Sequence, residues 1–223
     1  RAGEILLQPR RLAAHHIGIL AAGGVDRVPV RRQARVGILT TGSEICEPGQ
    51  ELGAGRIYNS NGSQLAAQVE SAGAIALPYG IVEDEPSALE AAVDHALEEA
   101  DILLLSGGVS MGEFDFVPQV LRKAGVEVLF HRLAIKPGRP TLFGRKGDSF
   151  VFGLPGNPVS TFIIFEVMVR HFLGILNGVS MDRPVVRGPL SAGVFRKSSS
   201  RVEYRPARFY AGVIEPLSYY GSS

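Results

Sequence analysis

The chain has 223 residues, 45% hydrophobic and 20% charged, with one cysteine, no tryptophan and a formal net charge of +1. That length holds one ordinary domain with smaller flanking pieces, and the hydrophobic fraction excludes a disordered chain. The near-zero charge excludes a strongly basic nucleic-acid binder, the lone Cys46 excludes an internal disulfide or cysteine metal cluster, and no run reads as an ~18-residue membrane span.

The total conceals three charge blocks, a net +5 over 1–35, −8 over 36–178 and +4 over 179–223. These suggest the end of a preceding domain and a linker over 1–34, an α/β domain over 35–178, and part of a small β-domain over 179–223. The start at Arg1, with neither an initiator Met nor a signal-peptide apolar core, reads as a piece of a longer cytoplasmic protein.

Taken in chain order, Ile17 to Gly23 reads as a short helix leading into the sheet. Val36 to Thr40 is a short apolar run ending in the polar turn Thr41-Gly42-Ser43, the pattern of a buried strand. Gln64 to Ser71 reads as a helix with Leu65, Ala66 and Val69 on one face and Gly73 as its stop. Ala74 to Pro78 is the next strand. Pro86 opens a helix in which Leu89, Ala92, Val93, Ala96 and Leu97 recur at helical spacing. Asp101 to Leu105 is an apolar strand, Phe116 to Ala124 a helix, and Val126 to Phe130 and Ser149 to Phe152 are strands. Asn157 to Leu176 is a long apolar helix. This order, with strands apolar on both faces, predicts a three-layer α/β/α sandwich around a mostly parallel sheet. Beyond Gly178, prolines among short Val/Phe/Tyr runs predict a partial small C-terminal β-domain.

In such sheets ligands bind beyond the carboxyl ends of the strands, where the turns after Thr40, Leu105 and Phe152 fall. Ser106-Gly107-Gly108-Val109-Ser110, followed by Asp115, is either an anion cradle of backbone N–H groups and hydroxyls or an ordinary tight turn. It matches neither the P-loop nor the Rossmann glycine pattern. Lys136-Pro137-Gly138-Arg139-Pro140 presents two cations on a chain stiffened by proline, which suits a compact oxyanion or a solvated basic edge. Pro155-Gly156-Asn157-Pro158-Val159-Ser160 opens a helix, with Asn157 as its N-cap and Pro158 at its first position. Its N-terminus attracts anions, and the Ser160 hydroxyl adds a donor. Thr41 to Glu44 and Arg56 to Asn61 are the other polar loops. Glu44 and Asp115 are candidate ligands of a hard cation such as Mg²⁺ beside phosphate oxygens, or simply solvated acids. The five histidines show no ligand spacing or triad and read as structural.

Six motifs occur in order: Thr-Gly-Ser-Glu at 41–44 with Pro48-Gly49, Ile-Tyr-Asn-Ser-Asn at 57–61 and Gly-Ile-Val-Glu-Asp at 80–84. Ser-Gly-Gly-Val-Ser-Met-Gly-Glu-Phe-Asp-Phe at 106–116, Lys-Pro-Gly-Arg-Pro at 136–140 and Gly-Leu-Pro-Gly-Asn-Pro-Val-Ser at 153–160 complete the set. Together they resemble the molybdopterin molybdenumtransferase family, the MoeA proteins and the E domains of gephyrin and its plant counterpart.

The resemblance implies a molybdopterin-binding-like fold and Mg²⁺-dependent insertion of molybdate into adenylylated molybdopterin with release of AMP. It implies Lys136, Arg139 and Ser160 as molybdate ligands, and Glu44 and Asp115 as holding Mg²⁺ or orienting water at the adenylate phosphate. Glu44, Asp115 and Lys136 then form the catalytic set. The cofactor-binding set is Asn59, Ser60, Asn61, Ser106, Gly107, Gly108, Val109, Ser110, Pro137, Gly138, Arg139, Pro155, Gly156, Asn157, Pro158 and Ser160. No protein nucleophile is required, because dithiolene sulfurs of the substrate attack molybdenum. The resemblance further implies small-molecule substrates, no nucleic-acid or membrane partner, and homodimers among full-length members. Ser43 stands where many members carry Asp, and Arg139 where Lys is common. Two alternatives stay open. One is a molybdopterin adenylyltransferase of the same fold, although Gly107-Gly108-Val109-Ser110 with Phe114-Asp115 departs from its usual Gly-Gly-Thr-Gly loop and Arg-Asp pair. The other is a non-catalytic binding module, since gephyrin anchors receptor tails on this domain.

Overall fold

The structure is a computed structural model that describes residues 3–109, 117–180, 183–195 and 199–218. In chain order the elements are α1 (Ala14–Ala22), β1 (Arg35–Thr41), β2 (Ile45–Cys46), β3 (Ile57–Tyr58), α2 (Ser60–Ser71), β4 (Ile75–Val82) and α3 (Pro86–Glu99). There follow β5 (Ile102–Ser106), α4 (Val117–Lys123), β6 (Glu127–Phe130), β7 (Ile135–Lys136), β8 (Leu142–Lys146) and β9 (Ser149–Leu154). The last are α5 (Pro158–Ile164), α6 (Arg170–Asn177), β10 (Val202–Glu203), β11 (Ala207–Tyr210) and β12 (Val213–Pro216).

The central sheet has six strands in the order β4-β1-β5-β9-β8-β6. Its first four are parallel, whereas β8 runs antiparallel to β9 and β6 antiparallel to β8. Every residue of β5 is buried, because helices cover both faces of the sheet. Alternation along the strand divides the core in two. Ile102 and Leu104 pack with Leu65 and Val69 of α2 and Leu173 of α6, while Leu103 and Leu105 pack with Leu89, Val93 and Leu121 of α3 and α4. Each such side chain contributes roughly 1.5–3 kcal/mol of burial. This is the three-layer, mostly parallel architecture that the sequence predicts.

Four local differences have physical reasons. Helix α2 begins at Ser60, not Gln64, because Asn59 Oδ1 accepts from Gly62 N at 2.9 Å and caps a first turn with no apolar periodicity. Ser60 and Asn61, expected in a loop, are therefore helical. Strand β4 continues to Val82, in parallel register with the end of β1. Strand β8 was not expected at all: Leu142–Lys146 folds back on β9 through the two-residue turn at Gly147-Asp148. Finally, the helix from Pro158 to Asn177 is interrupted by a π-turn at Phe165–Val169. By length and composition that 20-residue run would pass for a membrane-crossing helix, which the sequence reading did not allow for. In the fold Ile164, Phe165, Val169 and Leu173 fill the core.

The N-terminal segment is tied to the amino edge of the sheet by Arg32, whose two Nη atoms each donate to Asp101 at 2.6 Å. Hydrogen bonds from Arg32 and from Arg35 N outweigh the effect of partial burial and hold the Asp101 carboxyl below its usual range. In the C-terminal segment β11 and β12 form an antiparallel hairpin, and β10 pairs in parallel with β7.

Candidate active site

Strands β1, β5 and β9 end side by side, and the loops that follow them meet. Gly107 N donates to Leu154 O at 3.2 Å. Asn61 Nδ2, in the first turn of α2, donates to Ser106 Oγ at 2.8 Å and to Gly156 O at 2.7 Å. One side chain thus joins the 59–61, 106–108 and 155–157 segments. Thr40 Oγ1 donates to Asn59 Oδ1 at 3.2 Å, fixing the start of α2 against β1. Gly107 has φ +98°, and a Cβ there would lie 2.4 Å from Thr41 O, so the loop closes only with glycine.

Helix α5 starts as expected: Asn157 Oδ1 accepts from Val159 N at 3.0 Å and Ser160 N at 3.3 Å, with Pro158 in the first turn. Thr161 Oγ1 donates back to Pro155 O and to Asn157 O, bracing the turn. Asn157→Ala is expected to cost about 1 kcal/mol, read as a lower urea midpoint.

The 136–140 loop packs on the same helix, since a Cβ on Gly138 would lie 2.5 Å from Ile164 Cδ1. Pro137 and Gly138 are buried, and the Lys136–Pro137 peptide is cis. Thr141 Oγ1 closes the loop on Gly138 O at 2.7 Å. Lys136 and Arg139 remain exposed, and Lys136 Nζ lies 3.6 Å from Glu203 Oε1. Ser160 is buried in the first turn of α5.

The acidic residues divide differently. Glu44 is exposed at the end of the β1 turn, with Oε2 2.9 Å from where a Cβ on Gly42 would sit. Asp84 Oδ2 accepts from Ser43 N at 3.2 Å, and Glu47 Oε1 accepts from Asn59 Nδ2 at 3.0 Å. Asp115 and Ser110 lie outside the described residues. Among those described, no group of three or more His, Cys, Asp or Glu is placed to hold a metal ion. Val109 buries its side chain in the core, which leaves its backbone for the cofactor-binding role that the resemblance implies, and its carbonyl lies 3.1 Å from His131 Nε2. A carbonyl only accepts, so in this pairing His131 Nε2 is the donor.

Three buried side-chain polar atoms are without a partner among the described residues, and two of them lie here: Thr41 Oγ1 and Asn61 Oδ1. The Gly156 carbonyl requires the Asn61 NH₂ to face it, which leaves Oδ1 as the orphan. Each orphaned group costs about 1–3 kcal/mol, a penalty that a polar ligand can relieve. Thr41 and Asp84 were not assigned roles from the sequence, although both stand within motifs singled out there. A cavity of about 750 Å³ lies at the opposite, amino edge, lined by Leu6, Leu12, Val28, Gly73 and Asn177 among others, and is separate from these loops.

A mostly parallel sheet with three polar turns converging at its carboxyl edge defines an α/β domain of the kind whose ligands bind at that edge. The family described as "Probable molybdopterin binding domain" matches residues 37–174, and the chain belongs to it. It is 40% identical over 172 residues to the molybdopterin molybdenumtransferase of Bacillus subtilis, covering 77% of this chain and 40% of that protein. With the molybdopterin molybdenumtransferase of Haemophilus influenzae it shares 33% identity over 212 residues, 94% of this chain and 52% of that protein. The crystal structure of the molybdopterin biosynthesis moeA protein from Pyrococcus horikoshii superimposes with a TM-score of 0.81 at 30% identity, over 99% of this chain and 53% of that one. The chain therefore spans about half the length of the relatives it matches.

Proposed function

We propose that this chain carries the substrate site of a molybdopterin molybdenumtransferase, which inserts molybdate into adenylylated molybdopterin and releases AMP. The observation that carries the reading is the junction of three loops around Thr41 Oγ1 and Asn61 Oδ1, buried polar atoms without partners among the described residues. Its support from relatives is the name shared by the Bacillus and Haemophilus proteins.

In this reading the backbone donors of 106–108 and the N-terminus of α5 bind the substrate phosphates. Lys136, Arg139 and Ser160 hold molybdate as a tetrahedral dianion while the substrate's two dithiolene thiols form bonds to molybdenum and one oxide leaves as water with their two protons. Glu44 and Asp115 would hold Mg²⁺, which neutralises charge on the phosphoanhydride when bound. A hard cation of that size takes one or two carboxylates plus phosphate oxygens, so a pre-assembled cluster of three acids is not required. The reading treats 35–178 as the substrate-binding domain, with 1–34 and 179–223 as flanking pieces. A reducing, cytoplasmic setting suits the free, buried Cys46.

Titration with sodium molybdate tests the anion site. The double substitution Lys136→Ala, Arg139→Ala is expected to weaken binding at least tenfold by calorimetry, since two exposed cations supply most of the attraction for a dianion. Unchanged affinity in a folded variant would sink the assignment.

A further inference from the structure

We propose that Glu203 is an internal counter-ion that competes with the substrate oxyanion for Lys136, so that the C-terminal segment sets the affinity of the anion site. This rests on the reading of Lys136 as an oxyanion ligand.

In the parallel ladder of β10 and β7, Glu203 stands directly opposite Lys136. Val202 N donates to Ala134 O at 2.7 Å and Tyr204 N to Lys136 O at 2.8 Å, so backbone bonds grip the chain on both sides of the lysine. The Glu203 carboxylate lies 3.6 Å from Lys136 Nζ and 2.9 Å from Arg205 Nε. Its side chain is only 13% exposed, whereas that of Lys136 is 56% exposed.

These differences decide what the pair does. A distance of 3.6 Å is longer than a charge-assisted hydrogen bond, so the lysine is held loosely, while Arg205 grips the carboxylate closely. When an arriving oxyanion draws Lys136 away, Glu203 keeps Arg205 and is not left bare. The carboxylate is itself an oxyanion and occupies one face of the ammonium that a substrate oxygen would use. Removing its charge relieves both the competition and the repulsion felt by a dianion near a shielded negative group. Losing the side chain as a positioning device matters less, because the ladder bonds hold the Lys136 backbone whatever residue stands at 203.

Calorimetric titration of sodium molybdate into the wild-type chain, E203Q, K136A and the K136A/E203Q double variant tests this. E203Q is expected to bind on the order of 3- to 10-fold more tightly, and that gain is expected to vanish in the K136A background. Equal or weaker binding by E203Q overturns the counter-ion role, while a K136A loss leaves the anion site standing. A gain that persists without Lys136 overturns the competition, because it would reflect general charge alone. K136A binding as well as wild type overturns the anion-site reading and the inference with it. Independently of any variant, the ¹³C carboxyl resonance of Glu203 is expected to shift as wild type is saturated with molybdate. A resonance that stays fixed at saturation overturns the proposal.

Discussion

Replacing Glu166 with leucine is expected to lower stability by about 3 kcal/mol at neutral pH and the melting temperature by roughly 6–12 °C. Glu166 sits in the π-turn with its side chain 14% exposed, and Arg170, four residues on, is 6% exposed. Arg170 Nε donates to Glu166 Oε2 at 2.9 Å and Nη2 to Oε1 at 3.1 Å, while Gln68 Nε2 of α2 donates to Oε1 at 2.9 Å. Removing the carboxylate leaves the buried guanidinium with Ser71 Oγ at 2.9 Å and the Phe165 ring. Breaking one side of a buried pair is expensive for that reason. Arg183, the second cation on this carboxylate, is 65% exposed, so its ion pair adds less than that of the buried Arg170. Burial alone would push the Glu166 carboxyl up, but hydrogen bonds from Arg170, Arg183 and Gln68 hold it at about 2, below its ordinary 4.5. Its folded pKa is thus depressed, so its stabilisation is complete above pH ~4.5 and is lost as pH falls towards ~2. Urea midpoints of wild type and E166L should therefore differ fully at pH 7 and converge by pH ~2. A constant difference across that window would count against the charged network.

The network also ties α2, whose first turn carries Asn61, to the helical run that begins at Pro158, since Gln68 and Ser71 belong to the one and Glu166 and Arg170 to the other. Little of this was legible in the sequence. Runs such as Ile102–Leu105 declare buried strands because burial on both faces demands continuous apolar residues, and Pro86 and Asn157 declare helix starts through local backbone chemistry. Strand β8 was hidden because it ends in the exposed cations Arg145 and Lys146 and its apolar run is short, although Gly147-Asp148 between two apolar-bearing runs is a hairpin signal. The first turn of α2 was hidden because Ser60-Asn61-Gly62-Ser63 has no apolar period, although Asn59 three residues before Gly62 is a capping arrangement. Which loops would meet was beyond local pattern. The Asn61 amide reaches residues 45 and 95 positions away, and the pairing of Glu203 with Lys136 depends on β10 joining β7. Such contacts follow from strand order, and no residue near either partner announces them.

Gly107→Ala is expected to destabilise the chain by about 2–4 kcal/mol and to weaken molybdopterin binding at least tenfold. The residue has φ +98°, where an L side chain is strained by about 1–3 kcal/mol whatever the space around it. Here the space is also occupied, as the new Cβ would stand 2.4 Å from Thr41 O and 2.9 Å from Thr41 Oγ1. The first of these is backbone within a buried strand, so the 106–108 loop must give way instead. That movement strains the Gly107 N to Leu154 O bond and the Asn61 bridge, which hold the three loops together. Gly147→Ala supplies the control: that glycine has φ +58°, and a Cβ there meets nothing within 4 Å. It carries the conformational cost alone, about 1 kcal/mol, in a turn that the proposed site does not use. Chemical denaturation and fluorescence titration with molybdopterin separate the two substitutions. If both variants bind equally well, the 106–108 turn is a scaffold for β5 and not a surface that meets the ligand.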